Sequence, residues 1–238
     1  MAIRSLQRRR LVQRLSTLVI VGASAPLHAQ AAQPDEKEVL AVEDLMREHG
    51  VLRRILLVYS AAAPRLRGHA GEKVPAKPLN DAALLFRAFG EQYHERQLEE
   101  DHVFPMVERG KGAAARYAPI LKAQHDRGRA ITDYLVAATR AGTIAPAARA
   151  PLAKAMDSFV WMYRRHTAIE DTVVFPAWKE TMSGHEYEEL SDKFEELEQK
   201  MFGKDGYEEA VKRIAAVEGE LGLSDLASFT APPPPNAK

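Results

Sequence analysis

The chain has 238 residues, no cysteine, 46% hydrophobic residues and 7% aromatic ones, enough to bury a sizeable core without disulfides and, by default, within one domain. Its 33 basic and 33 acidic residues cancel. That balance gives no electrostatic footprint for nucleic acid or for an acidic membrane surface, and it points to a small partner.

Residues 1–31, MAIRSLQRRRLVQRLSTLVIVGASAPLHAQA, have a basic start, an apolar middle and a small-residue end at Ala29-Gln30-Ala31, the order of an export signal peptide. Paired Arg8-Arg9, followed by Arg10, Leu11 and Val12, resembles the twin-arginine type. The mature protein is therefore expected in the periplasm, off the membrane. The apolar run at 15–27 is well below the ~20 residues that a span needs, which argues against an uncleaved anchor.

Over residues 37–62, Val39, Leu40, Val42, Leu45, Met46, Val51, Leu52, Ile55 and Leu56 recur at helical spacing with Glu43, Arg47 and Arg54 outside, predicting a first amphipathic helix. The segment APRLRGHAGEKVPAKPLND ends it. Asn80 or Asp81 is a candidate cap for a second helix reaching residue 109, where Gly110 and Gly112 supply the stop. A third helix is expected over 113–141. Pro146 opens a fourth, running to 181 and interrupted or ended near Phe175-Pro176. No run alternates with period two long enough for a strand, so the fold class is all-α. Four long helices over 37–181, with short connections at two of three joins, predict an up-down-up-down four-helix bundle. Residues 187–201 and 207–221 read as two additional helices in a C-terminal extension, 185–222, and 223–238, ending in APPPPNAK, reads as a disordered tail.

Each long helix carries histidine: His49; His94 and His102; His125; His166. His166 and Glu170 lie on one helical face, about 40° apart at roughly 100° per residue. Turned inward, an unpaired carboxylate is costly, and a metal ion removes that cost. The segment RRHTAIEDTVVFP also has an upstream twin, YHERQLEEDHVFP, in which Glu99 falls on Glu170, Glu100 on Asp171, Val103 on Val174 and Phe104-Pro105 on Phe175-Pro176. A helix with a lone histidine thus twice precedes a helix with histidine and glutamate, a pseudo-twofold pattern. Imidazole and carboxylate together suit a pair of iron, manganese or zinc ions better than calcium. The alternative is that these histidines are satisfied core residues.

The pieces MREHGVLRRIL, YHERQLEEDHVFP, QHDRGR and RRHTAIEDTVVFP, covering residues 39–178, resemble the hemerythrin-like cation-binding family. The resemblance implies an up-down bundle holding two iron ions, the ligand set His49, His94, Glu99, His125, His166 and Glu170 with the carboxylates bridging, and dioxygen or a similar small molecule as partner. Manganese or zinc are the substitutes. Two departures stand out. The family's oxygen carriers have a second third-helix histidine where this chain has Arg129, leaving one iron under-coordinated, and His94 is displaced by one residue. In a regular α-helix His94 and Glu99 diverge by about 140°. Either a π-bulge absorbs one residue, which is the preferred reading, or Glu95 replaces the histidine and forms a face with Glu99 and His102.

Glu91-x-x-His94 and Glu99-x-x-His102 raise the ferritin-like di-iron class as a rival, but Val173 and Tyr163 stand where helix four would need the same motif. Tyr93, Tyr163 and Trp161 are candidates to hydrogen-bond a bound oxygen species, with core packing as the alternative. Arg164 and Arg165 are either solvated or partners of the ligands. His28, His69 and His185 are read as non-ligands. The expected function is storage, delivery or sensing of dioxygen or a related small molecule. An oxidase, peroxidase or nitric-oxide-handling enzyme is the alternative, using an open position beside Arg129, and a metal-free interaction module is the third class. No phosphate loop, cysteine nucleophile or serine triad is present in the sequence.

Overall fold

Apolar residues spaced three and four apart fold into six helices in the computed structural model, which describes residues 39–68 and 74–235. Helix α1 is Ala41–Arg67. Helix α2 covers 76–108 without a break, as Ala76–Leu85, a π-helical stretch Phe86–Val103, and Phe104–Glu108. Helix α3 is Ala113–Thr139. Helix α4 covers 146–179, as Pro146–Ile169, a π-turn Glu170–Val174, and Phe175–Lys179. Helices α5, Gly184–Phe202, and α6, Gly206–Leu221, follow, then a short 3₁₀ turn, Leu226–Phe229. Among the described residues there is no strand, and no helix is long and apolar enough to cross a membrane. The segment 1–31 and His69 lie outside the described residues.

Cross-helix contacts give the directions. Glu48 meets His94 while Leu52 packs beside Gly90; Arg87 meets Asp133 while Arg129 meets Glu100; His125 meets His166 while Gly128 packs on Tyr163; His49 meets Asp171 while Arg67 meets Asp157. Residue numbers rise on one helix as they fall on its neighbour in every pair. The first four helices are therefore an up-down-up-down ring.

Three boundaries differ from the sequence reading. Helix α1 runs through Pro64 to Arg67. Helix α2 starts at Ala76, so Asn80 and Asp81 are not caps. Asn80 donates to Thr139 Oγ1 at 3.0 Å, and Asp81 pairs with Lys77 at 2.6 Å. Helix α4 continues past Phe175-Pro176, as α2 continues past Phe104-Pro105. Within an α-helix the proline ring collides with the carbonyl four residues earlier, but here each proline follows a wider π-turn, closed by Phe104 N–H on the Glu99 carbonyl and by Phe175 N–H on that of Glu170. The wider turn makes room for the ring.

The outer helices complete α1. Its first amides have no intrahelical acceptor, and two find one on α5, where Ala41 N–H donates to Ser191 Oγ (3.0 Å) and Val42 N–H to Tyr187 Oη (2.9 Å). Helix α6 is tied to α1 by the two-pronged Arg54–Glu218 pair. Inside the ring, Tyr59, Phe86, Phe159 and Tyr163 form one aromatic layer, with centroid separations of 4.5 to 5.6 Å. Trp178, Phe175 and Phe194 are fully buried further along. Each such ring contributes about 1.5–3 kcal/mol by burial, and together the layers keep water from the polar level between them.

Candidate metal centre

Four histidines and two glutamates meet at that level: His49, His94, Glu99, His125, His166 and Glu170 are each at most 3% exposed. Glu99 Oε1 lies 3.3 Å from His94 Nε2, and its Oε2 lies 3.3 Å from His125 Nε2. Glu170 Oε2 lies 3.5 Å from His49 Nε2, and its Oε1 lies 3.0 Å from His166 Nε2. Each carboxylate thus presents one oxygen to each half of the centre. All four of these oxygens, and His94 Nε2, have no hydrogen-bond partner among the described residues. Buried charges left in this condition are expensive. Three groups among the described residues are tight enough to hold a cation, His49 with His94 and Glu99, His125 with His166, Glu99 and Glu170, and His125 with Glu95 and Glu100; Glu99 belongs to the first two. The donor set fits a pair of metal ions.

His94 and Glu99 meet because the π-helix stacks residues five apart, as an α-helix stacks residues four apart. The π register extends far beyond a single bulge. It brings in Glu95 as well, 1% exposed, without displacing His94. Glu95 faces the other half, where its Oε1 accepts from Tyr163 Oη at 2.6 Å, its Oε2 lies 3.4 Å from the Arg129 guanidinium, and it groups with Glu100 and His125. His102 is not on that face. It lies against Phe194, 5.6 Å between centroids.

The lone pairs at Nε2 are aimed by what binds Nδ1. His49 Nδ1 bonds Asp171 at 2.7 Å, His94 Nδ1 bonds Glu48 at 2.5 Å, His125 Nδ1 bonds Glu100 at 3.0 Å and His166 Nδ1 bonds Gln124 at 2.9 Å. With the proton on Nδ1, each Nε2 is free to donate electrons to a cation, and such partners orient the ring and raise its basicity. The pattern is pseudo-twofold throughout. Acids Asp171 and Glu100 each follow a central glutamate, Glu48 and Gln124 each precede a lone histidine, and Phe175 and Phe104 stack on His49 and His125 at 5.4 and 5.5 Å. The two histidine pairs match as well, with centroids 4.7 Å apart at 54° and 4.8 Å apart at 52°.

Arg129 belongs to this pattern. Its guanidinium pairs with Glu100, as that of Arg53 pairs with Asp171, and each arginine stands four residues after the lone histidine it serves. The sequence reading saw Arg129 only as a missing ligand. Glu48, Gln124, Arg53 and the positioning roles of Glu100, Asp171, Phe104 and Phe175 also escaped it, although the matched Glu-acid and His-x-x-x-Arg spacings were visible.

Electrostatics mark the need for positive charge. Burial works against ionisation of Glu99, yet His94 and His125 hold its carboxyl well below the usual range. Burial likewise opposes protonation of His125, but Glu95, Glu100 and Glu99 push it up to about 10. Protons on His94 and His125 stand in for cations.

Of the other candidates, Tyr163 is placed beside the centre, its ring 5.1 Å from that of His166. Gly128 makes this approach feasible, since a Cβ there would stand 2.1 Å from Tyr163 Oη. Tyr93 is buried against Phe89 and Phe202. Trp161 is 82% exposed and faces away, and Arg164 and Arg165 are exposed. His185 is on the surface beside Glu189.

An all-helical bundle with a buried, pseudo-twofold histidine–carboxylate centre defines a metal-binding four-helix protein. The chain belongs to the family described as Hemerythrin HHE cation binding domain, which matches residues 40–178 and, in a second overlapping stretch, 116–221. It is 44% identical over 196 residues to the uncharacterized proteins Rv1995 of Mycobacterium tuberculosis (strain H37Rv) and Mb2018 of Mycobacterium bovis, covering 82% of this chain and 75% of each relative. No solved structure matches it.

Proposed function

We propose that this is a non-haem di-iron protein that binds dioxygen or a related small molecule for storage, delivery or sensing. The observation that carries the reading is the pair of fully buried carboxylates, Glu99 and Glu170, each with one unpartnered oxygen toward either histidine pair. The ligands would be His49, His94, Glu99 and Glu170 for one ion and His125, His166, Glu99 and Glu170 for the other, with Glu95 a further carboxylate within reach of the second. Bound iron supplies reversible one-electron chemistry toward oxygen species, and manganese or zinc would fit the same donors with different redox behaviour. The chain's own residues orient the imidazoles through Asp171, Glu48, Glu100 and Gln124, and exclude water with the aromatic layers.

A second reading, a di-iron oxidase, peroxidase or nitric-oxide-handling enzyme, is favoured by one feature. Tyr163 Oη, Glu95 and Arg129 form a connected set of proton donors and acceptors beside His125 and His166, a set that suits proton delivery where oxygen is reduced. Export to the periplasm is part of the proposal and rests on the order of residues in 1–31 alone. The deciding experiment is metal analysis of purified protein with anaerobic optical spectra before and after air. Two irons per chain and a charge-transfer band that vanishes on deoxygenation are expected. A band that decays with release of oxidised product selects the enzyme, and protein that takes up no iron refutes both readings.

A further inference from the structure

We propose that the two halves of the centre fill in order, the His49–His94 half taking the first metal ion, because Glu48 stands behind His94 where the other half has the amide of Gln124. The inference rests on the two-ion reading above and goes beyond it by making the ions inequivalent. The pseudo-twofold equates Glu48 with Gln124, each the residue before a lone histidine and each bonded to the Nδ1 of the histidine on the following helix. Only the chemistry differs. An ionised carboxylate pulls the Nδ1 proton and makes Nε2 a stronger donor, whereas an amide oxygen is a neutral acceptor.

The bond lengths run the same way in both positions. They are 2.7 and 2.5 Å behind His49 and His94, against 3.0 and 2.9 Å behind His125 and His166. Asp171 and Glu100 each share their charge with an arginine, Arg53 and Arg129, so these two offset each other across the twofold. Glu95 adds a carboxylate to the second half, but its oxygens are held by Tyr163 and Arg129 and it bonds no Nδ1, so it leaves the difference between Glu48 and Gln124 in place. Glu48 is 0% exposed, and its Oε2 is directed at His94 Nδ1 at 2.5 Å.

Anaerobic titration of metal-free protein with Co(II), followed by optical absorption and by metal content, tests the order. Wild type is expected to fill in two steps, the tight one lost in His94→Ala and the weak one in His166→Ala. Glu48→Gln, nearly isosteric, should weaken the tight step by ~10–100-fold, the usual cost of losing such a partner, and draw the steps together. Gln124→Glu should tighten the second. Circular dichroism checks that each variant is folded. Two Co(II) ions binding in a single merged wild-type step, a tight step that disappears with His166→Ala, or folded Glu48→Gln protein with unchanged steps would each overturn the order while leaving the two-ion centre standing. Wild type that binds fewer than two Co(II) ions would overturn the centre itself, and the order with it.

Discussion

Glu100 accepts a hydrogen bond from His125 Nδ1 at 3.0 Å on the same oxygen that pairs with the Arg129 guanidinium. Arg129 thus reaches the centre through Glu100 and holds the acid that aims the imidazole. Replacing it with methionine, which keeps the stem and removes the charge, should lower metal affinity ~10–100-fold without abolishing binding. Arg53→Met should do the same through Asp171 and His49. A titration in which Arg129→Met binds metal as tightly as wild type would show that Glu100 holds His125 unaided.

His166→Ala and His102→Ala separate the centre from its surroundings. His166 Nε2 is 3.0 Å from both Glu170 and His125, whereas His102 lies against Phe194 on the outer side of α2. Iron content should fall by half or more in the first variant and stay at the wild-type value in the second. Equal loss in both would require a different ligand set.

Metal removal should destabilise the fold. A ligand at 100 times its dissociation constant adds about 2.7 kcal/mol, and unpaired Glu99 and Glu170 add their own burial cost when it leaves. Scanning calorimetry of loaded and chelator-treated protein should show a melting temperature several degrees lower without metal. Coincident curves would mean that the histidines neutralise the carboxylates adequately by themselves.

Gly128→Ala should cost about 1–3 kcal/mol by overpacking, since its Cβ would stand 2.1 Å from Tyr163 Oη. The displaced tyrosine would also release Glu95. Thermal melting measures the first effect. Comparison with Tyr163→Phe, which removes the hydroxyl and relieves the collision, tests its cause, because Gly128→Ala should be milder in that background.

Glu91 gives a pH signature away from the proposed ligands. Burial, with Glu95 adding repulsion, raises its carboxyl to about 7 against an ordinary 4.5. Between those values the folded state holds a proton that the unfolded state has released, so stability is highest below 4.5 and declines as pH rises through about 7. The decline attributable to this group is on the order of 3 kcal/mol at most. In Glu91→Gln the decline should be shallower and stability at pH 8 higher. Denaturant melts across that range decide it, and parallel pH profiles would mean that Glu91 stays ionised when buried.

Helices, and the histidines and glutamates on each, were legible from sequence because helical periodicity is local. His166 and Glu170 share a face whatever surrounds them, and the Glu99–Phe104 and Glu170–Phe175 twins show that a site is built twice. The π register was legible only as a choice. A five-residue spacing says that something must give in α2, and only the bundle decides that the backbone gives and that Glu95 joins the second half. What supports the imidazoles was decided by tertiary structure alone. Asp171 lies 122 residues from His49, Glu100 lies 25 from His125, and Arg129 lies 29 from Glu100. No local rule connects such residues. They meet because antiparallel helices bring distant positions to one level of the bundle, where a buried polar atom must find a partner or a cation.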